Sequence, residues 1–164
     1  ASGNEQIVWL AKKYDLIPLD FLFSKRDSSP YFYSAYTDVD VFMVDKSTFM
    51  TFVREDTDAL LGMADALATK HTELLQHLNA VQQSRASDKI LHTLSFIASR
   101  FTANERTGAH EVALPLTHQD VASLIGLTRE TTSIELRKLK DAKLINYTSS
   151  TFTIYVDRID ALLR

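Results

Sequence analysis

The side chains best suited to chemistry lie in one stretch, Leu116 to Leu139, and they are hydroxyls, an imidazole and charged groups rather than evident nucleophiles or metal ligands. Thr117 followed three residues later by Asp120 has the form of a capping box, in which each side chain bonds the other's backbone N–H. Ala122 is small where a second helix must approach, and Gly126 suits the left-handed backbone of a tight helix end. Thr128 is then a second N-cap. The spacing predicts a helix of about nine residues, a turn with glycine and a second helix, which together make a helix-turn-helix. The second helix presents Arg129, Glu130, Ser133 and Arg137 on one side, while Ile134, Leu136 and Leu139 supply apolar surface, part of it facing a core. Arginine at a helix start donates to guanine O6 and N7, glutamate accepts from cytosine N4, and hydroxyls and helix N-termini hold phosphates. Those are the groups that major-groove readout requires. From residue 129 to 143 there are five basic residues (129, 137, 138, 140, 143) against three acidic ones (130, 135, 141), a weakly basic surface.

Other chemistry finds no support. The 164 residues contain no cysteine, which excludes disulfides, thiolate metal sites and a cysteine nucleophile and suits a reducing cytoplasm. The five histidines (71, 77, 92, 110, 118) form no pair at metal-binding spacing on a helix face, so neither a metal nor a cofactor is expected. Phosphate-cradling glycine loops and a nucleophile elbow are absent, and no enzyme activity is expected. A net charge of −3 lacks the global basic signature of many nucleic-acid binders, so such a function must rest on a local surface. Hydrophobic residues at 45% and charged residues at 24% are those of an ordinary globular chain, and no apolar run approaches the roughly 18 residues that would span a membrane.

The elements around the stretch can be read from period and punctuation. Leu144 to Val156 reads as a hairpin with Ser149-Ser150 at its tip, which makes the helix-turn-helix a winged one. Before it, Ile90, Leu91, Leu94, Ile97, Ala98 and Phe101 mark a helix, Thr102 to His110 is polar and carries Gly108, and Glu111 to Leu116 reads as a short strand. Asp157 to Arg164 suits a last short helix. Upstream, from about Asp56, Leu60, Ala64, Leu67, His71, Leu74, Leu78 and Val81 follow at alternating steps of four and three, a heptad register that predicts a long helix with a partner helix. His71 at a core position of that register is a residue type that specifies pairing at some cost in stability. A linker is expected at Gln83 to Ser87. Residues 1–53 are rich in aromatic and β-branched residues, with Glu5 to Leu10 and Val39 to Val44 as strand candidates, too few to close a roll. The chain begins with alanine, and an upstream portion is expected to be missing. The expected architecture is α+β in three parts: an incomplete β region at 1–53, a helix and linker at 54–84, and a winged helix-turn-helix at 85–164.

Thr117-His-Gln-Asp-Val-Ala-Ser-Leu-Ile-Gly-Leu-Thr-Arg-Glu-Thr-Thr, followed by Leu136, Leu139 and Lys143-Leu-Ile, resembles the helix-turn-helix of the Crp/Fnr family of bacterial transcription regulators. The heptad helix resembles that family's dimerisation helix, and residues 1–53 resemble the later strands of its cyclic-nucleotide-binding β-roll. The resemblance implies a homodimer on double-stranded DNA with a near-palindromic site, with RNA polymerase as a further partner. By residue-wise analogy Thr117, His118, Gln119, Thr128 and Thr131 hold the DNA backbone and Arg129, Glu130 and Ser133 read bases, with Arg137 further along the groove wall. The family position that often carries a second guanine-reading arginine is Ile134 here, so the half-site is expected to differ, and Ser149-Ser150 puts no basic residue at the wing tip. In cyclic-AMP-binding members a glutamate holds ribose, an arginine neutralises the phosphate and a polar pair on the dimer helix contacts adenine. The matching positions here are Leu19, Ser29 and Leu74-Leu75, so no response to cyclic AMP is expected. Two other readings stand beside this one: a sensor of a different small molecule in the remodelled roll, and a protein-interaction winged helix without DNA binding.

Overall fold

The computed structural model describes residues 6–25, 28–106, 108–112, 114–148 and 151–163, without the side chains of residues 20, 23, 103–106 and 163. The chain divides into two compact units: Lys13–Glu73 forms one, and the segments on either side of it form the other.

The second of these is the winged helix-turn-helix, built on α4 (Ala86–Phe101), β1 (Thr102–Arg106), β2 (Ala109–Val112), α5 (His118–Ile125), α6 (Arg129–Asp141), β3 (Ile145–Tyr147), β4 (Phe152–Tyr155) and α7 (Val156–Leu163). Ile90, Leu91, Leu94, Ile97 and Ala98 recur at helical spacing on α4 and are all buried. They share one core with Val121 and Ile125 of α5, Leu136 and Leu139 of α6, and Ile159 of α7. The sheet is antiparallel in the order β1-β2-β4-β3. Phe152 and Ile154 of β4 point into the core and alternate with half-buried Thr153 and Tyr155, the period of a strand with one face covered. Residues 6–12 belong to this unit: Ile7 N–H donates to Ser123 Oγ of α5 at 2.8 Å, and Arg100 of α4 donates to the Leu10 carbonyl at 3.3 Å.

The unit Lys13–Glu73 holds α1 (Leu19–Phe23), α2 (Lys46–Glu55) and the larger part of α3 (Thr57–Gln82), which continues into the winged unit. Asp45 caps α2, accepting from Thr48 N–H at 3.0 Å and from the Ser47 hydroxyl at 2.6 Å. Those bonds hold its carboxyl well below the usual carboxylate range. Lys46 Nζ ties the start of α2 to the end of α1 through the carbonyls of Phe21 (2.8 Å) and Ser24 (2.9 Å), and Lys70 pairs with Asp15 at 3.0 Å.

The α+β class and the winged helix-turn-helix stand as expected, and three element assignments need correction. No strand forms among the described residues of 6–53. A strand exists only through a ladder partner, and the backbone groups of Ile7 and Leu10 are taken by Ser123 and Arg100 instead. Val39 to Val44 alternates like a strand but is exposed throughout, with Phe42 at 99%. Glu5 of the first candidate lies outside the described residues, as do Ser149 and Ser150 of the wing tip. The polar stretch from Thr102 is β1, and the strand expected at Glu111–Leu116 is shifted to Ala109–Val112. Backbone pairing with β2 is indifferent to the polar side chains of β1, and Leu116 N–H turns back onto the Leu114 carbonyl at 2.8 Å, outside the ladder. The linker is shorter than expected, because α4 starts at Ala86. Among the described residues no helix is long and apolar enough to cross a membrane.

Candidate nucleic-acid interface

The two helices of the motif are set by their caps. Thr117 Oγ1 accepts from Asp120 N–H at 3.1 Å, and Asp120 Oδ2 accepts from Thr117 N–H at 2.8 Å, the reciprocal pairing of a capping box. At the far end Gly126 adopts φ 67°, and both its N–H and that of Leu127 return to the Ala122 carbonyl. A side chain there would cost about 1 kcal/mol in the left-handed region. Thr128 then caps α6, accepting from Thr131 N–H at 3.2 Å and donating its own hydroxyl to Thr131 Oγ1 at 3.0 Å. Past the end of α6 Lys143 adopts φ 58°, and Leu144 N–H bonds the Leu139 carbonyl at 3.0 Å.

This framing decides which side of α6 faces solvent. Thr132, Leu136 and Leu139 are buried against the core, while Arg129, Glu130, Ile134, Arg137, Lys138 and Lys140 are exposed. Three of the residues expected to read bases, Arg129, Glu130 and Ser133, therefore lie on the outer arc with Arg137, and Gln119 is exposed at the start of α5. Ser133 is half-buried because it is engaged: His118 Nδ1 of α5 lies 3.0 Å from its Oγ. Burial holds the His118 imidazole below its ordinary pKa, and the charge of Arg129 adds to that. Thr117 and Thr128 are also engaged, accepting from the N–H groups of Asp120 and Thr131, and Thr131 Oγ1 accepts from the Thr128 hydroxyl.

Tyr147, not expected at this surface, completes it together with Lys140. Tyr147 of β3 meets the His118 ring edge to face at 4.9 Å and stacks on Phe152 at 5.4 Å. Lys140 Nζ lies 4.4 Å from the centre of the Tyr147 ring and donates to the Tyr147 carbonyl at 3.1 Å. The wing strand is thereby joined to both helices. No local spacing announces this, since Tyr147 reaches His118 only once the hairpin has docked.

The heptad row of α3 is largely exposed. Leu60, Leu67, Leu74 and Leu78 are 40–51% exposed, Ala64 and His71 are exposed, and Val81 is half-buried. Of the positions that the resemblance matched to cyclic-nucleotide contacts, Leu19 opens α1, Ser29 Oγ accepts from Tyr31 N–H at 3.2 Å, and Leu74 and Leu75 are exposed. Among the described residues no cluster of potential metal ligands occurs.

A helix-turn-helix closed by two caps and braced by a hairpin wing defines a winged DNA-binding class of fold. Residues 88–164 match the family of Crp-like helix-turn-helix domains, and the resemblance to the Crp/Fnr regulators holds. Among solved structures the chain is similar to FixK2 from Bradyrhizobium japonicum, at 19% identity and a TM-score of 0.59, over 73% of this chain and 59% of that one. It is similar to a CooA mutant from Carboxydothermus hydrogenoformans, at 20% identity and a TM-score of 0.61, over 73% and 56%. A CRP-family transcriptional regulator from Thermus thermophilus matches at 22% identity and a TM-score of 0.53, over 65% and 54%. The chain thus spans between half and three fifths of the length of these regulators. No curated protein sequence matches it.

Proposed function

We propose that the chain is part of a homodimeric, cytoplasmic, sequence-specific transcription regulator of the Crp/Fnr type that binds near-palindromic double-stranded DNA and does not respond to cyclic AMP. The observation that carries this reading is the outer arc of α6, where Arg129, Glu130 and Arg137 project from a helix whose opposite side is locked into the core. Arg129 and Glu130 stand in the first turn, from which a recognition helix reaches base edges. Thr117, His118, Gln119, Thr128 and Thr131 flank them at helix N-termini, where phosphates are held. The acidic net charge is no obstacle, because the contact is local.

The exposed row of α3 supports dimerisation. Leu60, Ala64, Leu67, His71, Leu74, Leu78 and Val81 in heptad register form the seam of a two-stranded coiled coil, which would set two recognition helices about one DNA turn apart. RNA polymerase is the expected second partner of such a regulator.

Selection of bound sequences from random duplex DNA tests the proposal. Enrichment of a two-fold-related site, with affinity falling steeply as salt rises, is the expected result. Binding that neither enriches a site nor depends on salt would favour the protein-interaction alternative.

A further inference from the structure

His118 and Ser133 come from different helices of the motif, yet a single hydrogen bond of 3.0 Å joins them. Ser133 lies one turn after Arg129 and next to Ile134, among the residues facing outward. A serine hydroxyl has one proton and two lone pairs, so whichever of these it spends on the imidazole is lost to a base. We infer that His118 and Ser133 form one reading unit, in which the proton on His118 Nδ1 decides whether the Ser133 hydroxyl meets a base as acceptor or as donor. The inference rests on the DNA-binding role proposed above.

In the neutral ring with Nδ1 bare, Ser133 donates its proton to Nδ1, and only lone pairs remain for the groove. It then pairs with an amino group, N4 of cytosine or N6 of adenine. In the imidazolium, Nδ1–H donates to Ser133 Oγ, and the hydroxyl proton turns outward to O6 or N7 of guanine or O4 of thymine. The same protonation puts a cation at the N-terminus of α5, where a phosphate would sit.

Burial and the charge of Arg129 favour the neutral ring in the free protein. Arg129 approaches from α6, Tyr147 of β3 meets the ring edge to face, and Lys140 stands over the Tyr147 ring. On its own helix the Asp120 carboxylate is spent on Thr117. Burial and Arg129 both disfavour the cation, whereas a DNA phosphate favours it, so binding and proton uptake are linked.

The test is selection from random duplexes with the full chain at about pH 8 and about pH 5.5, with circular dichroism confirming the fold at both. The base pair nearest Ser133 should change from an amino-bearing base to guanine or thymine, by about fivefold in relative enrichment for one hydrogen bond. His118→Asn should abolish the shift, and Ser133→Ala should erase preference at that pair at both pH values. In the free protein, nitrogen NMR of the His118 ring should show a titration midpoint that Ser133→Ala moves. Sequence-selective binding with the same preference at both pH values, or a shift that survives in His118→Asn, overturns the inference alone. An NMR midpoint untouched by Ser133→Ala does the same. Absence of selective binding at either pH overturns the DNA-binding role and this inference with it.

Discussion

Ile134 and Leu136 are two positions apart on α6, yet Ile134 is 57% exposed and Leu136 is fully buried. An exposed β-branched residue between Ser133 and Arg137 offers DNA only an apolar contact, such as one to a thymine methyl. Ile134→Arg should therefore shift preference toward guanine at its position. Glu130→Ala should relax selection at one G·C pair per half-site at a cost of about 1 to 3 kcal/mol. Arg137→Ala, two turns beyond the helix start, should weaken all duplexes alike and lower the salt slope by about one unit. Binding measured on a panel of single-base variants separates these outcomes, and the reverse pattern would mean a different docking of α6. A second prediction concerns Lys143, which follows the C-cap of α6 in the left-handed region at φ 58°. Lys143→Gly should raise the unfolding free energy by about 1 kcal/mol in urea titration, because glycine carries no penalty there.

At the scale of elements, α3, α4 and the segment 6–12 meet through an aromatic cluster. His77 of α3 lies 6.3 Å from Trp9 and 5.7 Å from Phe96 by ring centres, and Arg100 lies 4.5 Å from the Trp9 ring centre. His77 Nδ1 is buried with no hydrogen-bond partner among the described residues, and burial lowers the pKa of the ring. A histidine whose folded pKa is depressed takes up a proton more readily when unfolded. Stability is thus fully present above its ordinary value near 6.5 and is lost as pH falls through and below it. His77→Phe, which keeps the ring contacts, should flatten the melting temperature between about pH 7.5 and about pH 5 relative to the parent protein. An unchanged pH profile would mean that His77 does not titrate with unfolding. The caps at Thr117 and Thr128 and the turn at Gly126 were legible in the sequence because each is decided within three or four residues. The union of His118 with Ser133 and Tyr147 was not, since it depends on how a hairpin docks. Alternation in Val39 to Val44 is local too, but it states only that a strand could form, and whether a partner lies beside it is a non-local fact.

For the whole molecule, the row from Leu60 to Val81 carries the expectation of a dimer. Sedimentation at tens of micromolar should give twice the chain mass, and Leu67→Glu with Leu74→Glu should give the monomer by placing like charges in the seam. Cyclic AMP should produce no calorimetric heat and no change in DNA affinity, since Leu19, Ser29 and Leu74-Leu75 offer neither a ribose acceptor, a phosphate cation nor a polar partner for adenine.

The boundary between the two compact units falls at Glu73 and Leu74, inside the 26 residues of α3. A helix of 26 residues is about 39 Å long, and its backbone is held by bonds from each N–H to the carbonyl four residues before. Melting either unit alone would require a new helix end with unsatisfied backbone groups and no cap to receive them. Heat should therefore be absorbed in one endotherm whose calorimetric and van't Hoff enthalpies agree.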